Sequence, residues 1–299
     1  MAERDSIPIC DYEGSDYRTR FWESGGRNYE DIVERQVLRR LLPATGQRLL
    51  EIGAGFGRLS QEYRSYKQVV LLDYSFSQLQ YARQQLGDDG YLYVAANAYK
   101  LPFREGVFDG ATVIRVLHHM ADVSAFLQGV RRVMTPQGTF ILEYANKRNL
   151  KAMLRYALRR QTWSPYDLDP VEFVTLNFDF HPSYIAQQLN NAGFITEKRI
   201  PVSFFRLGLL KRLIPAGILA RMDSLMQRSG LMVSPSIFTR NQATGETVNQ
   251  IELDGDAIFA CPETGSPLHR EGDAMVSEEG RRWLIRDGIY VFKDLEEEG

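Results

Sequence analysis

Apolar residues in the first half of this chain alternate between helical and strand-like spacing. Val33, Val37 and Leu41, with Leu38 and Leu42 beside them, recur at helical spacing and predict a helix from Glu30 to Leu42, closed by Pro43 and Gly46. Leu49, Leu50 and Ile52 form the short apolar run of a strand buried on both faces. Val69 to Leu72 give a second strand, Gln68 to Asp73, and Leu79, Ala82 and Leu86 mark a helix from Phe76 that stops at Gly87. Tyr91 to Ala95 is a third strand and Phe108 to Ile114 a fourth. Asp122 then caps a helix with Val123, Phe126, Leu127, Val130, Val133 and Met134 inward, and Thr135 to Gly138 turns the chain into a fifth strand, Thr139 to Tyr144. This alternation predicts an α/β fold, a doubly wound, largely parallel sheet whose ligand crevice lies at the carboxyl ends of its strands.

The second half is less regular. Leu150 to Leu158 is amphipathic, with Lys147, Arg148, Lys151, Arg155, Arg159 and Arg160 on its other side and at its ends. Pro182 to Ala192 reads as a helix, Thr196 to Ile200 as a sixth strand and Ser236 to Arg240 as a seventh, antiparallel one. Between those strands, Leu207 to Leu225 is rich in leucine with Lys211, Arg212 and Arg221 interspersed. It reads as a helical hairpin packed on the sheet, or as a substrate cap whose basic rim meets a membrane surface or an anionic substrate. Residues 1–29 form an aromatic arm (Tyr12, Tyr17, Phe21, Trp22, Tyr29), packed on the main domain or closing over a ligand. The expected division is therefore the arm 1–29, a main domain 30–250 with insertions at 145–180 and 203–233, and a small unit at 257–299.

Bulk composition narrows the function. The 299 residues are 44% hydrophobic and 25% charged, an ordinary globular balance, and a net charge of −2 argues against direct nucleic-acid binding through a broad basic surface. Two cysteines, Cys10 and Cys261, exclude a disulfide framework. No apolar run approaches the roughly 20 residues of a membrane span, and the N-terminus lacks the apolar core of a signal peptide, so a cytoplasmic protein is expected.

The chemistry concentrates after the first strand. Glu51-Ile-Gly53-Ala54-Gly55-Phe-Gly57 places three glycines at alternate positions, where a ligand can press against the main chain, and a helix expected to start near Arg58 would aim its free N–H groups at the same spot. Arg58 stands where a dinucleotide fingerprint needs its third glycine, and no Lys-Ser or Lys-Thr pair makes a phosphate loop. Asp73, about 20 residues on, occupies the place where a neighbouring parallel strand offers a carboxylate to ribose hydroxyls, and Ser75 is better placed to cap the next helix. Asn97, in an apolar-walled loop, suits either an adenine edge or a tight turn.

Five stretches in order (the glycine loop; Asp73-Tyr-Ser75 with Ala82-Arg83; Asn97-Ala98 with Leu101-Pro102-Phe103; Phe108-Asp109 with Val116-Leu117-His118-His119; and Arg132 to Gly138) resemble the class I S-adenosylmethionine-dependent methyltransferases of the small-molecule type. The resemblance covers roughly residues 30 to 200 and implies a seven-stranded Rossmann-like sheet. It further implies that Gly53, Ala54, Gly55 and Gly57 lie along the methionine part of the cofactor and that Glu51 orders water and the amino group. Asp73 would hold the ribose, Tyr74 would flank the adenine, Asn97 and Ala98 would meet its edge, and Arg115 would offer a carbonyl to the methionyl amine. Gln137 departs from the pattern, which often has a second glycine in that turn. The implied reaction is in-line methyl displacement onto a small-molecule, apolar or anionic acceptor, with S-adenosylhomocysteine as product. A base is needed only where the acceptor has a proton to lose. His118 and His119 are the candidates for it, with His181 and Glu143 more distant, though structural roles suit each of these residues as well. An RNA or protein methyltransferase and a non-catalytic cofactor-binding scaffold are the alternatives.

The tail from Phe259-Ala-Cys261-Pro262 to Asp287-Gly288-Ile289 resembles the small zinc-ribbon-like domain of the Trm112 type, which activates methyltransferases or is fused to them. A zinc site takes about four ligands, and the tail offers only Cys261 and His269, so a metal-free version is expected, with a protein partner as its implied role.

Overall fold

In the computed structural model, residues 26–246 and 248–293 are described, together with Pro8, Asp11, Glu13, Gly14 and Trp22. Tyr12, Tyr17 and Phe21 of the expected arm lie outside the described residues. The chain runs α1 (Asn28–Leu41), β1 (Gly46–Ile52), β2 (Tyr66–Asp73), α2 (Phe76–Leu86), β3 (Tyr91–Ala95), β4 (Phe108–Val113), α3 (Val123–Val133), β5 (Met134–Ala145), α4 (Leu150–Ala157), β6 (Val171–Val174), β7 (Asn177–Asp179), α5 (Pro182–Asn191), β8 (Phe194–Val202), α6 (Gly208–Leu213), α7 (Ala216–Gln227), β9 (Ser236–Ala243), β10 (His269–Glu271), β11 (Ala274–Val276), β12 (Arg282–Arg286) and β13 (Ile289–Val291).

Strands β3-β2-β1-β4-β5 are parallel, and β9 then runs antiparallel between β5 and β8. The sheet separates two apolar layers. One holds Leu50, Val70, Phe126 and Phe140 against α3 and α5; the other holds Leu49, Val69 and Leu71 against α1, α2 and α7. Ser75 caps α2 through the Gln78 N–H and Asp122 caps α3 through the Ala125 N–H, which frees Asp73 from capping.

Four features differ from the sequence expectation. The sheet has eleven strands, because β13 pairs in parallel with β3 (Tyr290 opposite Val94) and brings β12, β11 and β10 with it. An uncovered β3 would leave a row of unpaired backbone groups, and β13 satisfies them. The tail does not keep a core to itself, since Phe259 stacks on Phe103 at 5.7 Å and joins Trp283, Tyr290 and Phe292 to the main apolar layer. No α-helix follows the glycine loop either. Only a 3-10 turn, Ser60–Tyr63, fits before β2 begins at Tyr66. The fourth difference is the β6–β7 hairpin inside the first insertion, where no strand is expected from the sequence.

Candidate active site

The carboxyl ends of β1, β2, β3 and β4 open on one cavity. Its walls include Glu51, Gly53, Ala54, Gly55, Asp73, Tyr74, Asn97, Ala98, Arg115 and His119. Backbone geometry makes the glycine loop. Gly53 and Gly55 have φ of +73° and +53°. A Cβ on Gly53 would lie 2.1 Å from Val116, whereas one on Gly55 would meet nothing within 4 Å and would occupy open space. The loop's N–H groups point to β2 rather than to a helix: Gly53 and Ala54 donate to the Leu72 carbonyl, and Gly55 N–H donates to Asp73 Oδ2 at 2.7 Å. Asp73 Oδ1 accepts from Ser75 N–H at 2.9 Å, so the carboxylate is fixed while each oxygen keeps a further lone pair.

Glu51 lies beneath the loop, accepting from Ser60 Oγ (2.9 Å) and Tyr63 Oη (3.2 Å). Burial pushes its carboxyl up to about 7, against the lowering effect of those two hydrogen bonds. Burial also raises Asp73 above the usual carboxylate range, opposed by its backbone donors. Two carboxyls whose charge is disfavoured by burial suit a ligand that carries positive charge and hydroxyl donors. Asn97 Oδ1 accepts from Tyr99 N–H at 2.9 Å, so its oxygen serves the turn that holds it at the wall. The residues therefore fit S-adenosylmethionine: a fixed diol acceptor, a closely approachable backbone and a buried carboxyl near the amine end.

One wall rests on a buried ion-pair network that the sequence reading missed. Glu34 of α1 accepts from Arg115 Nε (2.8 Å) and from Arg58 (2.7 Å). Burial alone would raise its carboxyl, but Arg115 and then Arg58 hold it at about 2. Arg58 stacks under Trp22, its guanidinium carbon 3.7 Å from the ring centroid, and Trp22 lines the cavity. The aromatic run in the arm was the available signal; the three-way pairing had none, because 81 residues separate Glu34 from Arg115.

Beyond Arg115 lies a second group of charges. Glu143 accepts the Arg115 N–H at 2.9 Å, and Asp179, at the end of β7, is raised by burial to about 6 despite the nearby Arg206 cation. Arg206 donates to Ser236 Oγ at 2.9 Å, while its buried Nε has no partner among the described residues, and burial lowers its pKa. His118 is also held well below the ordinary histidine range, by burial and then by His119, Arg115, Arg27 and Arg206. Val202 and Ala145 both register with Ser236, which sets this group at the carboxyl ends of β5 and β8.

Of the expected cofactor residues, Gly57 is the one not brought to the cavity. Its glycine is required elsewhere, since a Cβ there would lie 2.8 Å from Leu86 of α2. His118 is likewise not among the lining residues, though its ring lies 4.0 Å from that of His119. His119 Nδ1 lies 2.8 Å from the Leu176 carbonyl, and burial lowers its pKa. His181 is the cap of α5, accepting from Ser183 N–H, and Glu143 is engaged by Arg115, so both have structural work. Among the described residues no group of three His, Cys, Asp or Glu side chains is arranged to hold a metal; Cys261 is buried and His269 pairs with Glu271.

Residues 50–142 match the family model described as Methyltransferase domain. The chain carries an S-adenosylmethionine-dependent methyltransferase domain. Over 167 residues it is 29% identical to the ubiquinone/menaquinone biosynthesis C-methyltransferase UbiE of Teredinibacter turnerae, covering 50% of this chain and 67% of that one. The O-methyltransferase cnsE of Penicillium expansum is 28% identical over 153 residues, 48% of this chain and 55% of its own length. UbiE of Vibrio parahaemolyticus is 35% identical over 33% of this chain and 42% of that one, so more than half of that relative lies outside the match. Among solved structures, an S-adenosylmethionine-dependent methyltransferase of Thermotoga maritima superposes with a TM-score of 0.52 at 18% identity, over 75% of this chain and 92% of that one. A chain from the complex of the Haloferax volcanii Trm112 activator with a methyltransferase gives 0.54 at 15% identity, over 77% and 95%. These likenesses establish the methyltransferase fold, and the domain implies S-adenosylmethionine as methyl donor.

Proposed function

We propose that this protein transfers a methyl group from S-adenosylmethionine, by in-line displacement, to a small-molecule acceptor that is apolar in body and carries an anionic or proton-bearing group. The observation that carries the reading is Asp73: a fixed carboxylate at the end of β2, bonded to Gly55, in one cavity with Glu51, Asn97 and Ala98. When bound, S-adenosylmethionine supplies an electrophilic methyl on a sulfonium sulfur. The chain's own residues hold and orient: Asp73 takes the ribose diol, the Gly53–Gly55 backbone runs along the methionyl part, Tyr74, Asn97 and Ala98 wall the adenine, and Trp22 with Met120 excludes water. Relatives named for ubiquinone and menaquinone biosynthesis support a small acceptor. Arg206, a cation whose buried Nε has no partner among the described residues and whose charge is felt at Arg115 in the cavity wall, supports an anionic group on it.

Where the acceptor must lose a proton, His119 is the base. A carbonyl can only accept, so the Leu176 contact places the proton on Nδ1 and makes Nε2 the ring's acceptor nitrogen. Because burial lowers its pKa, methyl transfer should fall off only below the ordinary histidine range. Isothermal titration with S-adenosylmethionine tests the cofactor reading: the parent binds and Asp73→Ala does not, with its fold retained. Methyl-release assays against phenolic, enolic and carboxylate acceptors then test the reaction. Binding unaffected by Asp73→Ala overturns the site, and turnover of RNA or protein alone overturns the acceptor class. If His119→Gln keeps the parent's rate and pH profile, His119 is not the base.

A further inference from the structure

The two insertions leave a surface that the core does not use. Helix α4 carries Leu150, Leu154 and Leu158 on one stripe, yet buries only Ala152. Leu207, Leu209 and Leu213 in and before α6 are also outward, the last two 69% and 72% exposed. The two insertions touch at one end, where Leu150 N–H donates to the Val233 carbonyl and Asn146 Nδ2 to the Met232 and Ser234 carbonyls in the segment between α7 and β9. Tyr156 and Tyr166 pair edge to face beside them, both exposed.

Charge decides what covers this face. Residues 145–160 hold six Lys or Arg and no Asp or Glu. Residues 203–235 hold exposed Arg212, Arg221 and Arg228, besides Arg206, whose Nε is buried, and Lys211 paired to Glu30; their one acid, Asp223, is buried against Tyr29 and α1. The whole chain nevertheless carries −2, so positive charge is concentrated where the leucines are exposed. A second copy of this chain would bring like charge against like charge. An anionic bilayer meets both features, taking leucine side chains at the acyl boundary and the cations at its headgroups. Among the described residues no helix is long and apolar enough to cross a membrane, which leaves a surface contact.

We propose that α4 and the α6–α7 hairpin form a docking face for the surface of an anionic phospholipid bilayer. The inference stands on the insertions alone and does not depend on the methyl acceptor. Flotation of the full chain with vesicles of phosphatidylcholine, alone or mixed with phosphatidylglycerol, tests it. Binding is expected to the mixed vesicles at low salt, weakening as salt rises. Charge reversal at Arg155, Arg159 and Arg212 (each →Glu) should lower that binding about 100-fold, at roughly one kcal/mol per cation. The pair Leu154→Glu and Leu213→Glu should lower it at least about 30-fold with the melting temperature unchanged, because neither leucine is buried. Absence of binding to mixed vesicles, equal binding to neutral ones, or parental binding by the charge-reversed variant would overturn the proposal. So would a concentration-dependent dimer that Leu213→Glu dissolves and vesicles leave intact.

Discussion

The cavity and the buried charge group beyond Arg115, the proposed cofactor and acceptor sides, are made in different ways. The cofactor side is built from strand ends and their immediate turns: Gly53 to Gly55, Asp73 to Ser75 and Asn97 to Tyr99, tied by backbone hydrogen bonds of 2.7 to 3.0 Å. The charge group is assembled from insertion side chains that do not line the cavity, Asp179 at the end of β7 and Arg206 after β8, and it is buried. Backbone at strand ends can hardly be moved without moving the sheet, so the first side is rigid. Long side chains on inserted segments can be exchanged without disturbing the strands, so the second side is where specificity can change.

Gly55→Val gives the largest contrast. Its Cβ meets no protein atom, so the fold should lose only the roughly 1–2 kcal/mol of a left-handed residue, while S-adenosylmethionine affinity falls at least about 1,000-fold. Titration calorimetry beside a thermal melt separates the two, and retained affinity would remove the glycine loop from the site. Glu34→Gln comes next. It removes the buried carboxylate that Arg58 and Arg115 share, while Arg58 keeps Asp31, and should cost about 3 kcal/mol in urea unfolding. The carboxyl is depressed in the folded state, so its contribution is present above the unfolded value near 4.5 and is lost as pH falls toward about 2; the variant should show a flatter acid limb.

Glu51 behaves in the opposite sense. Its folded value near 7 exceeds the unfolded value near 4.5, so the stability it contributes is present below 4.5 and is lost as pH rises through 7. Glu51→Gln should remove about 3 kcal/mol of that decline, read from melts across the range. A cationic cofactor favours the carboxylate, so binding near pH 7 should release a proton. Calorimetry in buffers of different ionisation enthalpy reads it, and no release would separate Glu51 from the cofactor's charge. Arg206→Gln probes the other side: an anionic acceptor should show a KM about 10-fold higher with cofactor affinity unchanged, and weaker binding of both would merge the two halves into one site. The smallest effect is Gln137→Gly. Gln137 sits at φ +63°, so glycine there should raise stability by about 1 kcal/mol in urea and leave methyl transfer unaltered.

The parallel strands, the helices between them and the glycine, Asp73 and Asn97 positions were legible in the chain because each rests on local pattern: period, caps and turns within a few residues. The expected helix after Arg58 failed for a local reason as well, since the chain must reach β2 at Tyr66 and has room for only one 3-10 turn. Gly57 shows the limit of a motif: the residue was expected to face the ligand, and the packing of Leu86 claims it instead.

What the sequence determined by itself is the sheet's order of layers and the backbone half of the site, because strand ends carry their own turns with them. What only the tertiary structure decided is where distant segments meet: β13 completing the edge at β3, Trp22 over Arg58, Glu34 between two arginines, and Arg206 beside His118. These pairings join residues 24 to nearly 200 positions apart, and their free energy comes from burial and charge pairing that no local period encodes.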